Sequence, residues 1–282
     1  MKPAVLPLNW HSAPPTKVGR VKRWVSLFRG SSLAWLSWIT WLGLLLLWSL
    51  VTGLGLVDAV VLPSPAIMWD TLRDFIANGY AGKPASTHIL ASVYRTFVGL
   101  TGGIVLGIPV GLVIGYYRTA NAMLGPLFSF IRPVPPIAFI PLVILYFGIG
   151  EFPKILLIGM AAFWYIVLNT SNGVRSVPAD LIRAAQILGV REHQLVLRVI
   201  FPAALPYVMT GVKTATALSW AIVVAAELVA AQAGLGYMIM DAATFFRIPF
   251  VYLGIFLVGV IGLMLEILTN VLERRLLHWL GR

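Results

Sequence analysis

Long apolar runs almost free of charge decide what this chain can fold into. A helix needs about 20 predominantly apolar residues to cross the hydrocarbon of a bilayer. Six stretches approach that pattern: about 33–54, 88–117, 136–150, 153–173, 205–232 and 250–272. The third is short. Its residues, at about 1.5 Å each, reach only about 22 Å. It also opens among Pro133, Pro135, Pro136 and Pro141. Tilt, shielding by neighbours or irregular backbone inside a protein-lined cavity is expected there. Only 11% of the residues are charged, against about 25% in soluble domains. The expected fold class is therefore an all-α polytopic membrane protein with about six transmembrane helices.

Orientation follows from Lys and Arg, which accumulate on the cytoplasmic side of membrane helices. With the N-terminus inside, segments 1–32, 116–135, 174–202 and 273–282 carry 15 basic residues. The opposite segments 55–87, 149–154 and 233–249 carry 4. Both termini are then cytoplasmic, and the net charge of +11 needs no nucleic acid to explain it. Residues 1–32 hold six basic residues and no acidic one, and read as a cytoplasmic basic arm. The apolar run after them is long for a signal-peptide core and lacks a small-x-small cleavage site, so it reads as a retained first span. Residues 33–282 form the membrane domain.

Several chemistries are excluded. The chain has no cysteine, hence no disulfide, thiolate metal site or cysteine nucleophile. His11, His88, His193 and His278 have no metal-ligand spacing. No G-x-x-x-x-G-K-[ST] loop and no nucleophile–base constellation is present. The chain alone is expected to hydrolyse nothing and to bind no cofactor.

Between the apolar runs, residues 183–202 read RAAQILGVREHQLVLRVIFP. Ala184 and Ala185 let another surface approach closely. Gly189 permits a sharp turn between two short helices, and Pro202 sits where a new helix can start. Elsewhere, Ser64 before Pro65 suits the start of a short amphipathic helix carrying Met68, Leu72, Phe75 and Ile76. A second one is expected at Tyr237–Phe246, after the Gly234-Leu235-Gly236 turn.

The 183–202 stretch resembles the EAA loop of ABC-importer permeases, with Arg183 where the generic motif has Glu. Three further motifs extend the resemblance from about residue 55 to 275. They are Leu62-Pro63-Ser64-Pro65, the run from Arg132-Pro133-Val134-Pro135-Pro136 to Phe147-Gly148-Ile149-Gly150-Glu151, and Ala225-Ala226-Glu227-Leu228 with Gly234–Tyr237. Together they resemble the permeases for nitrate, sulfonate, taurine and bicarbonate, and most of all the taurine and aliphatic-sulfonate group.

The resemblance implies a type I importer permease in a bacterial plasma (inner) membrane. It works with two cytoplasmic ATPase subunits that bind ATP and Mg, a second copy of this chain and an external solute-binding protein. Residues 33–282 are then a permease domain whose coupling loop, about 178–202, lies in a groove of the ATPase. Arg183, Ala184, Ala185, Gly189, Arg191, Glu192 and Pro202 are the coupling candidates. Nitrate or bicarbonate import stays open as the alternative, and an ion-gradient-driven secondary transporter as a more distant one.

Charges inside spans are costly in lipid and usually face the bundle interior or a cavity. Counting from the span ends puts Arg95 and Glu227 in the outer third, and Lys213 and Glu266 toward the inner end. Two ion pairs are expected, Arg95 with Glu227 and Lys213 with Glu266, either as structural pins or as gates. Arg95 facing a cavity would instead be the natural partner of an anion. Asn169, Thr170, Ser219 and Trp220 are further candidates for the translocation pathway. Ile137, Phe139 and Ile140 are candidates for a gate at the start of the short third span.

Overall fold

A computed structural model of the chain describes residues 34–58, 60–131 and 133–279. The basic arm 1–32 and Arg132 of the proline motif lie outside the described residues. Eleven helices are described: α1 (Ala34–Gly53), α2 (Pro65–Asn78), α3 (Ala85–Tyr116), α4 (Arg118–Ile131), α5 (Ile140–Phe147), α6 (Glu151–Arg175), α7 (Ala179–Ile187), α8 (Glu192–Leu195), α9 (Phe201–Ala230), α10 (Leu235–Thr244) and α11 (Ile248–Leu276). Helix α1 belongs to one compact unit, Met1–Ala59, and the other helices to a second, Val60–Arg282.

Four helices are long and apolar enough to span a membrane: α3, α6, the continuous Glu192–Val229 run that ends in α9, and α11. Helix α4 and Pro136–Phe147 meet at a bend of 85° and make a fifth only if the pair counts as one span, and α1 adds the shorter apolar stretch Trp38–Gly53. The third apolar run differs from the sequence expectation. Residues 116–135 lie between the expected second and third spans, and Arg118–Ile131 within them is helical. Beyond it, a 3₁₀ turn at Pro136–Phe139 leads into the eight-residue α5. Proline lacks the N–H that a continuing helix needs, so the proline cluster divides this segment into two short helices.

The core is built on glycine. Helices α3 and α6 run parallel, with Gly99, Gly103, Gly107, Gly111 and Gly115 facing Ile158, Ala162, Ile166, Thr170 and Val174 in turn. A Cβ on Gly103 would stand 2.5 Å from that of Ala162. Gly102, one residue earlier, has nothing within 4 Å. Without a hydrophobic driving force between helices in lipid, such close backbone approach is how spans gain packing energy. The other side of α6 meets α9 antiparallel, where Gly173 abuts Tyr207 and Gly211 abuts Asn169. Helix α6 is thus the central post, with Leu157, Ile158, Ala161, Ala162, Ile166 and Val167 buried along it.

Smaller helices close one end. The Ser64 hydroxyl accepts from the Ile67 N–H at 3.3 Å, Pro65 starts α2 and Gly79, at φ 75°, ends it. Phe75 of α2 is buried in a cluster with Tyr80, Leu235, Met238 and Leu253. Tyr80 donates to Asp241 of α10 at 2.8 Å. Burial, together with that carboxylate, pushes its phenol well above the ordinary value, which keeps the donor proton in place.

Candidate functional site

At the end of the bundle where α3 and α6 begin, Arg95 is 3% exposed and bonded on several sides. Its Nη1 donates to Glu227 at 2.5 Å and to the Ala233 carbonyl at 2.7 Å. Nε and Nη2 take both oxygens of Glu151, at 2.5 and 2.8 Å. Glu227 also accepts from the Ser92 hydroxyl at 2.8 Å and the Gly236 N–H at 3.0 Å. Lys154 reaches Glu151 at 3.2 Å. His88, fully buried, meets the Gly234 and Tyr80 carbonyls at 3.2 and 3.1 Å. This network joins α3, α6, α9 and α10.

The glycines of the Gly234-Leu235-Gly236 turn are what let α10 approach so closely. Gly234 has φ 133°, and a Cβ there would stand 2.4 Å from the Glu227 carboxylate. One on Gly236 would stand 2.5 Å from the Val224 carbonyl. The carboxylate therefore lies against the first turn of α10, where helix N–H groups favour negative charge. Glu151, Lys154, Ser92 and His88 were missed by sequence reasoning. Glu151 opens α6 and so stands at the end of an apolar run rather than inside one. The signal available was an acidic first-turn residue at the same membrane level as Arg95.

At the opposite end, α7 and α8 form a helical hairpin around Gly189, whose φ of 74° reverses the chain. Its base is packed: Ala185, Leu195 and Ile200 are buried with Val174, Val177 and Ala204. Its tip is bare: Ile187 and Leu188 are 86% and 82% exposed. Ala184 faces outward but Ala185 is buried, so only Ala184 of the pair is open to close approach. Arg183 lies 3.8 Å from Asp180, both in water. Arg191 and Glu192 are exposed. Glu192 accepts from the Tyr117 hydroxyl at 3.2 Å, and this carboxylate raises the Tyr117 phenol above its ordinary value. Pro202 is half-buried at the start of α9. It has no N–H to bond the Arg198 carbonyl, and the turn before it, Val196–Ile200, widens to a π-helix.

The second expected ion pair is corrected. Lys213 pairs with Glu273, not Glu266. Glu273 lies seven residues beyond Glu266, two turns along the same helix and nearer its end, where Lys213 reaches it. Glu266 is exposed on α11.

The pathway candidates are scattered. Asn169 donates to the Tyr165 carbonyl at 2.8 Å. Trp220 is buried and donates to the Val258 carbonyl at 2.9 Å. Ser219 and Thr170 are buried, and their hydroxyls have no partner among the described residues. Ile137 is 47% exposed, whereas Ile140 is packed in the core. None of these lines a cavity of about 400 Å³ between α4 and α6.

The chain matches the family described as binding-protein-dependent transport system inner membrane component over residues 103–278. It belongs to that family. The match spans the α7–α8 hairpin, α9 and α11. Among relatives of this permease, the putative aliphatic sulfonates transport permease protein SsuC of Bacillus subtilis is 38% identical over 83% of each chain. The taurine transport system permease protein TauC of Escherichia coli is 38% identical over 84% of this chain and 87% of its own. The bicarbonate transport system permease protein CmpB of Synechococcus elongatus is 33% identical over the same two shares. The permease fold is also that of a chain in the inward-facing MetNI methionine ABC transporter. That likeness has a TM-score of 0.57 at 20% identity, over 76% of this chain and 99% of the other.

Proposed function

We propose that this permease is the membrane subunit of an ATP-driven importer for an aliphatic sulfonate, taurine being the simplest candidate. The observation that carries the coupling half of this reading is the bare Ile187-Leu188 tip on a packed base. Two large apolar side chains in water at a reversal of the chain suit a groove on another protein. Two ATPase subunits, a second copy of this chain and an external binding protein complete the assembly. The hairpin then faces the cytoplasm, and both termini lie on that side.

The helix geometry supports transmission. Glu192–Val229 is one continuous run, so a push on the hairpin is delivered along α9 to the level of Glu227. There the Arg95 cluster pins the ends of four helices together. Its hydrogen bonds go to two carboxylates and a carbonyl, which favours a fixed anchor over an anion site. On the substrate, SsuC and TauC relatives at 38% identity against 33% for CmpB favour sulfonate. Bicarbonate or nitrate is the second reading.

The test is substrate-stimulated ATP hydrolysis in proteoliposomes holding the permease, its ATPase and its binding protein. Taurine or a longer alkanesulfonate is expected to stimulate, with nitrate and bicarbonate inert. Stimulation by nitrate or bicarbonate alone would move the reading to that anion. Uptake driven by an ion gradient without ATP would overturn it.

A further inference from the structure

The cavity between α4 and α6 has two chemically distinct ends. One holds Arg175, the last residue of α6, with Asn121 and Asn172 beside it. The other is lined by Phe128 and Trp164, whose rings meet edge-on at 4.9 Å. Along α6 these ends are separated by the eight residues from Trp164 to Asn172, or about 12 Å at about 1.5 Å each. The volume, about 400 Å³, lies in the range of small-molecule sites, about 300–1,000 Å³. Among the described residues, Arg175 donates to one acceptor, the neutral Asn121 Oδ1. No carboxylate among them lies within ion-pair distance of it. Arg95 and Lys213, by contrast, are both neutralised by glutamates. Arg175 is thus a guanidinium, held in place by an amide, on the wall of a cleft that also has an aromatic part.

We propose that this cavity binds an amphiphilic oxyanion, with its charged oxygens on Arg175 and its apolar body toward Phe128 and Trp164. Guanidinium matches the oxygens of a sulfonate or phosphate with paired N–H donors. The Asn172 amide and Ser129 hydroxyl add donors at the wall. The transported organosulfonate, halted at the hairpin end of the bundle, is one source of such a ligand, and this source rests on the sulfonate reading above. An anionic lipid headgroup is the other source of the same chemistry.

The experiment uses the whole permease–ATPase complex in nanodiscs, without the binding protein, and radiolabelled hexanesulfonate. Wild type is expected to bind it saturably. Arg175→Gln should weaken binding at least tenfold, and Arg175→Lys less so. Asn121→Asp keeps Arg175 but sets a carboxylate against it, and should also cost at least tenfold. Asn121→Asp provides the test should Arg175→Gln fail to assemble. Phe128→Ala should weaken hexanesulfonate more than methanesulfonate. Competition separates the sources. If phosphatidylglycerol nanodiscs block the site and phosphatidylcholine ones leave it open, lipid is the resident ligand. If both leave it open, the free sulfonate is.

Hexanesulfonate binding that is absent in phosphatidylcholine nanodiscs, or unchanged there in both Arg175→Gln and Asn121→Asp, would overturn the proposal. The transport reading is scored separately, by sulfonate-stimulated ATP hydrolysis with the binding protein present. That stimulation can persist when the cavity binds nothing. Equally, Arg175-dependent binding can persist when only another anion stimulates.

Discussion

At the scale of single residues, the Arg95 cluster sets the most demanding constraint. A buried charge is tolerated only while its partners remain, and removing one partner typically costs about 3–5 kcal/mol. Glu227→Gln is therefore expected to lower the stability of the purified permease by that order, read as a thermal unfolding shift in detergent. A double reversal, Arg95→Glu with Glu227→Arg, distinguishes an isolated pair from a network. An isolated pair would be restored. Here the new glutamate would face Glu151 and the Ala233 carbonyl, and the new arginine would face the Gly236 N–H. The double variant should be no more stable than either single one. Arg95 and Glu227 were legible in the sequence because intramembrane charge is rare. Glu151 was not, because residues at the end of a span look like ordinary interfacial charge until the fold brings them inward.

At the scale of elements, the α3–α6 seam turns a glycine count into a register. Gly102 and Gly103 are adjacent in the chain, yet only Gly103 lies under α6. Overpacking costs about 1–3 kcal/mol where neighbours can shift, and more where backbone is met, as at the Gly159 carbonyl 2.9 Å away. Gly103→Val should abolish the monodisperse peak in size-exclusion chromatography, while Gly102→Val should leave it intact. Glycine recurs along this helix in the sequence, at 99, 102, 103, 107, 111 and 115, and nothing local distinguishes one from another. Which of them face α6 depends on the partner helix, and a single strand of text does not contain that. The proline cluster shows the same limit. It flagged irregular backbone in the third span, while the helical character of 118–131 went unseen among its polar and small residues.

At the scale of the whole molecule, one end is locked by charge and the other presents an apolar tip, with α9 running between them. The loop was the most legible part of the chain, since Ala, Gly and Pro at fixed spacing each demand a local geometry. What spacing did not reveal is the division of labour within it. Ala185 serves the packed base, and Ile187 and Leu188 carry the exposed surface. The positive φ at Gly189 disfavours any side chain there by about 1–2 kcal/mol, although nothing lies within 4 Å of its Cβ position. A Gly189 variant therefore perturbs the fold of the hairpin along with the docking proposed for it. Leu188 is the cleaner probe, because its side chain is almost wholly in water and supports nothing beneath it.

The most direct measurement is retention of the ATPase by tagged Leu188→Asp permease, co-expressed and purified beside wild type, with thermal unfolding of each permease recorded. Loss of most of the ATPase, at an unfolding temperature equal to wild type, is the predicted result. Wild-type retention of the ATPase by Leu188→Asp, with uptake intact, would contradict the claim that this tip is where the permease is driven.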